Sequence, residues 1–318
     1  MSDPGPDSIR PDVAAFLAAM HESGAPPLNA LPVADARAML RTMRSMGDVD
    51  PTPLATVRNI AVQGPGGVIP VRLYDRRPQR ESGPLILFMH GGGFVVGDLD
   101  THEPFCTYLA DQTDIPVLAV DYRLAPEHPF PAAPDDAEAV ARWASESPAA
   151  LGFTVSGIIT CGDSAGGNLA IVTGQALAAH PAGAPLLGQW VLYPYIGSSG
   201  DWPSMRTFAE GYMLTEAAMG WFNAHYAPPA DDPRHDCARG IIPIAPLLVH
   251  TAGLDPLRDQ GVAYAEKARE AGATVQHIEA RGMIHNFACM RGAIPSSQAD
   301  IDSFIAAAMS LLEQADQS

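Results

Sequence analysis

Apolar positions change rhythm along this chain, and each change predicts a different kind of element. Near the N-terminus Val13, Phe16, Leu17 and Met20 recur at helical spacing, as do Ala36, Met39, Leu40 and Met43, with Pro26-Pro27 between the two runs. Two short amphipathic helices are predicted there. Apolar segments at 57–62 and 68–74 flank Gly64-Pro65-Gly66-Gly67, which predicts an antiparallel hairpin. Beyond it, short apolar runs at 85–89, 115–120, 157–161, 187–193, 245–251 and 273–279 predict strands. Helical stretches at 134–147, 165–180, 257–271 and 297–314 alternate with them. Alternation of this kind predicts an α/β fold, a mostly parallel central sheet with helices on both faces.

The stretch 196–232 breaks the rhythm and reads as an insertion after a strand. It carries Trp202, Met205, Phe208, Tyr212, Met213, Met219, Trp221, Phe222 and Tyr226. Thioethers make adaptable apolar walls, and the N-terminal helices are also rich in methionine, so both segments are expected to form a lid. The expected organisation is cap helices over 1–50, a core over 51–195, a cap insertion over 196–232 and the rest of the core over 233–318.

Candidate chemistry enters at Gly162-Asp163-Ser164-Ala165-Gly166-Gly167. A serine held on a strained strand-to-helix turn needs small residues two places before and two places after it, and Gly162 and Gly166 meet that need. The buried-strand pattern 157–161 precedes the turn and an alanine- and leucine-rich helical stretch follows, ending before Pro181. Ser198 and Ser199 lack both the spacing and the following helix.

A serine hydroxyl needs a base to take its proton and an acid to orient that base. His285 follows the strand 273–279 across a short glycine-containing loop, at the carboxyl edge where open α/β sheets place their sites. Asp255 follows the strand 245–251 and precedes Pro256 at a helix start, where capping the helix is its alternative role. Asp259, one turn into that helix, is the rival carboxylate. The order serine, aspartate, histidine is that of α/β-hydrolases. Backbone donors for a developing oxyanion are expected from Gly92 and Gly93 in His90-Gly91-Gly92-Gly93-Phe94, together with the amide of Ala165. His90 is expected to order this loop rather than to transfer protons.

Composition narrows the partners. The 318 residues carry a formal charge of −17 with Lys267 as the one lysine, which argues against a nucleic-acid partner. Cys106, Cys161, Cys237 and Cys289 lack the paired spacing of a zinc site or redox dithiol and read as reduced, buried thiols. Residues 1–7 are acidic and proline-rich, unlike a secretory leader, and no apolar run reaches membrane-spanning length. A cytoplasmic location is expected, with no metal.

With these motifs in place, the chain resembles bacterial carboxylesterases of the hormone-sensitive-lipase family over roughly residues 60–310. The resemblance rests on the His90 to Gly93 run, Asp121-Tyr122-Arg123-Leu124-Ala125-Pro126-Glu127, the Gly-Asp-Ser-Ala-Gly elbow, Asp255-Pro256-Leu257-Arg258-Asp259 and the loop bearing His285. It implies an α/β-hydrolase core with a helical cap and cofactor-free hydrolysis of short- to medium-chain acyl esters. Ser164 would be the nucleophile, His285 the base, Asp255 the orienting acid, and Gly92, Gly93 and Ala165 the oxyanion hole; Tyr122 to Glu127 would be structural. Phe94, Tyr212, Met213 and Asn286 are the expected substrate contacts. Asn286 departs from the glycine that the family commonly places after the histidine. An amide, lactone or carbamate substrate, or a non-catalytic ligand receptor, are the alternative readings, and a homodimer is compatible with all of them.

Overall fold

The computed structural model describes residues 8–316, so residues 1–7, on which the leader argument rests, lie outside the described residues. Eight strands form one sheet: β1 (Thr56–Gly64), β2 (Gly67–Asp75), β3 (Ser82–Met89), β4 (Val117–Val120), β5 (Thr154–Asp163), β6 (Leu186–Leu192), β7 (Leu247–Leu254) and β8 (Val275–Ile284). Their spatial order is β1-β2-β4-β3-β5-β6-β7-β8. The hairpin β1/β2 and the pair β2/β4 are antiparallel, and every pairing from β4 through β8 is parallel.

Both faces are covered, which is why the central strands read as unbroken apolar runs rather than as alternation. Helices α4 (Ala132–Ser145), α5 (Ala165–Ala179) and α8 (Arg258–Glu270) contribute Val140, Leu169 and Ala265 to the core on one face. On the other, α3 (Glu103–Thr113) and α9 (Ser297–Asp316) contribute Phe105, Leu109, Ile301 and Phe304. The N-terminal α1 (Pro11–Glu22) joins this second core through Val13, whereas α2 (Val33–Gly47) joins the first through Ala36 and Leu40. Burying each of these larger side chains contributes roughly 1.5–3 kcal/mol.

Helix α3 is absent from the sequence expectation. Its apolar positions, Phe105, Cys106, Leu109 and Ala110, make a short stripe behind Pro104, which is tolerated in the first turn. Inside the insertion lie α6 (Pro203–Thr207) and α7 (Glu216–Tyr226).

The strand order reverses at β3, which lies between β4 and β5. Loops leaving β3 and β5 therefore emerge side by side at the carboxyl edge, where crevices form in sheets of this type. Register pairs Met89 with Gly162, setting the glycine loop after β3 directly against the turn after β5.

Candidate active site

Strand β5 ends at Asp163 and α5 begins at Ala165, leaving Ser164 alone at φ 54°, ψ −118°. A non-glycine residue in such a conformation costs about 1–3 kcal/mol and needs surroundings that fix it. They are present: the Ser164 amide donates to the Leu192 carbonyl at 2.9 Å, and the Ser164 carbonyl accepts from the amides of Asn168 (3.1 Å) and Tyr195 (3.0 Å). A Cβ at Gly162 would strike the Gly166 carbonyl, and one at Gly166 the Met89 carbonyl, so neither site has room for a side chain.

Neighbouring parallel strands deliver the partners. Asp255 follows β7 and His285 follows β8, so both arrive at the edge that carries Ser164. His285 Nε2 lies 2.8 Å from Ser164 Oγ, and Nδ1 lies 2.6 Å from Asp255 Oδ2. Asp255 is fully buried and its other oxygen accepts the Leu257 amide at 2.9 Å, so one carboxylate both shapes the entry to α8 and holds the imidazole. A carboxylate on Nδ1–H leaves Nε2 free to accept the serine proton. Asp259 is occupied elsewhere, accepting from the Ser204 amide (2.8 Å) and Arg258 Nε (2.9 Å).

The glycine loop turns through positive φ at Gly92 (128°), Gly93 (60°) and Phe94 (63°). Phe94 is held there by stacking on Tyr226 with ring centroids 4.0 Å apart and by its carbonyl, which accepts the Ala125 amide at 2.9 Å. Among the described residues no protein acceptor takes the amides of Gly92, Gly93 or Ala165. The last of these sits in the first turn of α5, where amides are free and the helix dipole favours negative charge. Gly93 and Ala165 line the same cavity as Ser164.

Buried polar groups fix this loop from behind. The His90 ring stacks on Tyr122 (4.3 Å) and its Nδ1 meets the Gly91 carbonyl at 2.9 Å, while the Tyr122 hydroxyl donates to the His90 carbonyl at 2.7 Å. Burial pushes the His90 imidazole down to about 4, which suits an ordering role rather than proton transfer. Asp163 Oδ1 accepts the Gly91 amide at 2.7 Å and lies 3.3 Å from His102 Nε2. Sequence reasoning gave neither Asp163 nor His102 a role. The available signal was a carboxylate ending an apolar strand, a costly placement without a partner.

Above Ser164 opens a cavity of about 260 Å³. The insertion supplies much of its wall, including Trp202, Met205, Met219, Phe222 and Tyr226, and Phe94 lines it from the glycine loop. No described residue of α1 or α2 lines it. Of the four expected substrate contacts only Phe94 reaches the cavity. Tyr212 instead meets Phe208 edge-on at 5.1 Å, Met213 packs on the second core, and Asn286 Oδ1 accepts from Arg44 Nη2 at 2.7 Å. Tyr195, His235 and Gln260, which sequence reasoning did not single out, are lining residues.

Among the described residues one cluster has the proximity of a metal site, His102, Asp163 and Cys289, with ligand atoms within 4.8 Å of one another. Burial alone would lower the His102 pKa, but Cys289 and Asp163 hold it up at about 10.

A family described as alpha/beta hydrolase fold matches residues 86–289. The chain is 38% identical over 295 residues to the ethyl acetate hydrolase of Pseudomonas putida, across 88% of this chain and 92% of that protein. It is 39% identical over 258 residues to the carboxylic ester hydrolase LipN of Mycobacterium tuberculosis, across 77% of this chain and 68% of that one. Among solved structures, the ester-hydrolase EH1AB1 from the metagenome of Lake Arreo, complexed with a bipyridine phosphonate derivative, superposes with a TM-score of 0.89 at 34% identity, over 96% of this chain and 99% of that one. Strand order, elbow and sequence likeness agree: the chain belongs to the α/β-hydrolase family, on its hormone-sensitive-lipase-like branch.

Proposed function

We propose that this protein is a serine carboxylesterase acting on short- to medium-chain acyl esters, with Ser164 as nucleophile, His285 as general base and Asp255 as the group that orients it. The observation that carries this reading is the unbroken hydrogen-bonded line from Asp255 through His285 to Ser164 at the floor of an apolar cavity.

Ser164 Oγ attacks the ester carbonyl carbon as its proton passes to His285 Nε2. The carbonyl oxygen takes up the negative charge facing the amides of Gly93 and Ala165, with Gly92 beside them. Collapse expels the alcohol, which leaves with the proton from His285, and an acyl group stays on Ser164. Water then gives a proton to His285 and attacks the acyl carbon; the proton returns to Ser164 as the acid departs.

A cavity of about 260 Å³ walled by aromatic rings and methionines suits a modest acyl chain. The relatives named for ethyl acetate and carboxylic esters support the same substrate class. Among the described residues no helix is long and apolar enough to cross a membrane. A cytoplasmic location is supported by four buried, unpaired cysteines.

Turnover across p-nitrophenyl esters from acetate to palmitate tests the substrate reading. The highest kcat/KM is expected among the short and medium chains, and a maximum at palmitate would contradict it.

A further inference from the structure

Helix α2 places Arg37, Arg41 and Arg44 at spacings of four and three, which aligns them on one face. All three reach towards the loops that carry the chemistry. Arg37 donates from Nε to the Val95 carbonyl (2.8 Å) and from Nη2 to the Ala125 carbonyl (2.9 Å), and it grips Glu127 through both terminal nitrogens at 2.8 and 2.7 Å. Arg41 Nε donates to Asp98 Oδ2 at 2.5 Å. Asp98 accepts the Thr101 amide at 2.8 Å, Thr101 Oγ1 lies 2.9 Å from His102 Nδ1, and His102 meets Asp163.

Arg44 is the most telling of the three, because its side chain is buried and taking a guanidinium out of water is costly unless its donors are used. Nη2 donates to Asn286 Oδ1 at 2.7 Å and Nη1 to the Cys289 carbonyl at 2.9 Å, while the buried Nε has no acceptor among the described residues, so the two terminal bonds carry the whole hydrogen-bond compensation. Asn286 directly follows His285 and sits at φ 75°, ψ 10°. Glycine would adopt that backbone more cheaply. Glycine, however, has no acceptor to offer Arg44.

We propose that α2 positions the reacting groups from outside the cavity: Arg44, through Asn286, holds the His285 loop against Ser164, and Arg37, through Val95, sets the loop presenting Gly92 and Gly93. This rests on the esterase reading above. None of these arginines lines the cavity, so they are positioning residues rather than catalytic ones.

The test uses the full chain and compares Arg44→Met, Asn286→Gly and the double variant for kcat and KM on p-nitrophenyl acetate, rate of organophosphate labelling, and Tm. Because a slightly misplaced base is expensive, each single change should lower kcat by about tenfold to a hundredfold and slow labelling in parallel. KM should stay within about twofold of wild type, since no cavity wall changes. Both substitutions break one link, so the double variant should fall little below the worse single variant. Normal kcat and labelling in the single variants, or losses that multiply in the double, would overturn the proposal. If Arg44→Met does not fold, Asn286→Gly decides alone, since it keeps the backbone requirement and removes just the acceptor. Ser164→Ala separates the two layers: an active Ser164→Ala enzyme defeats the esterase mechanism itself, whereas an inactive one beside normal Asn286→Gly turnover defeats the positioning role alone.

Discussion

The Gly91 amide donates to the Asp163 carboxylate across 2.7 Å, so the residue preceding Ser164 also holds the loop that carries Gly92 and Gly93. Elbow and loop are thus fixed to each other by one buried group, and a Cβ at Gly91 would strike that same carboxylate.

The pairing of Asp163 with His102 gives stability a defined pH dependence. Burial alone would raise the Asp163 carboxyl, but His102, Arg44 and the Gly91 amide bring it from 3.8 down to about 2. His102 moves the other way, from 6.5 to about 10. The carboxylate's contribution is present above 3.8 and is lost as pH falls through about 2. The contribution of His102 is complete below 6.5 and is lost as pH rises through about 10. Urea midpoints of the wild type should decline across this alkaline limb, and His102→Gln should flatten it. Parallel profiles for the two proteins would refute the assignment.

Gly166→Ala drives a methyl group into the Met89 carbonyl, backbone that cannot swing aside. Overpacking of this kind costs about 1–3 kcal/mol. The elbow should also shift, lowering kcat on p-nitrophenyl acetate. Denaturant unfolding and steady-state kinetics on the same preparation check both, and an alanine variant indistinguishable from wild type would show that the turn has slack.

Phe222 closes over the glycine loop, since a Cβ at Gly93 would run into its ring. Phe222→Ala should therefore widen the cavity and raise kcat/KM for longer acyl esters relative to acetate by roughly tenfold, the scale set by one or two methylenes in an apolar pocket. An unchanged chain-length profile would mean that the acyl group lies elsewhere.

Much of this arrangement was legible in the sequence because its causes are local. The elbow needs small residues at Gly162 and Gly166, and Ser164 and Asp255 stand just beyond strands that their own apolar runs announce; for His285 the run 273–279 stops short, because β8 continues to Ile284 where a loop is expected. What escaped depends on contacts between distant segments. Tyr212 and Trp202 look alike in sequence, yet Trp202 faces the cavity and Tyr212 pairs with Phe208. Helix α2 has the methionine-bearing pattern expected of a lid, but it packs through Ala36 and Leu40 and its arginines reach partners that lie tens to hundreds of positions away in the chain. The bond from Arg44 to Asn286 likewise has no local trace.

Covalent trapping tests the central claim most directly. Incubation with an organophosphate, proteolysis and mass spectrometry should place the adduct on Ser164, and Ser164→Ala should take up no label while losing roughly four to six orders of magnitude in kcat. An adduct on a different residue, or a Ser164→Ala enzyme that turns over esters at a near-normal rate, would contradict the account.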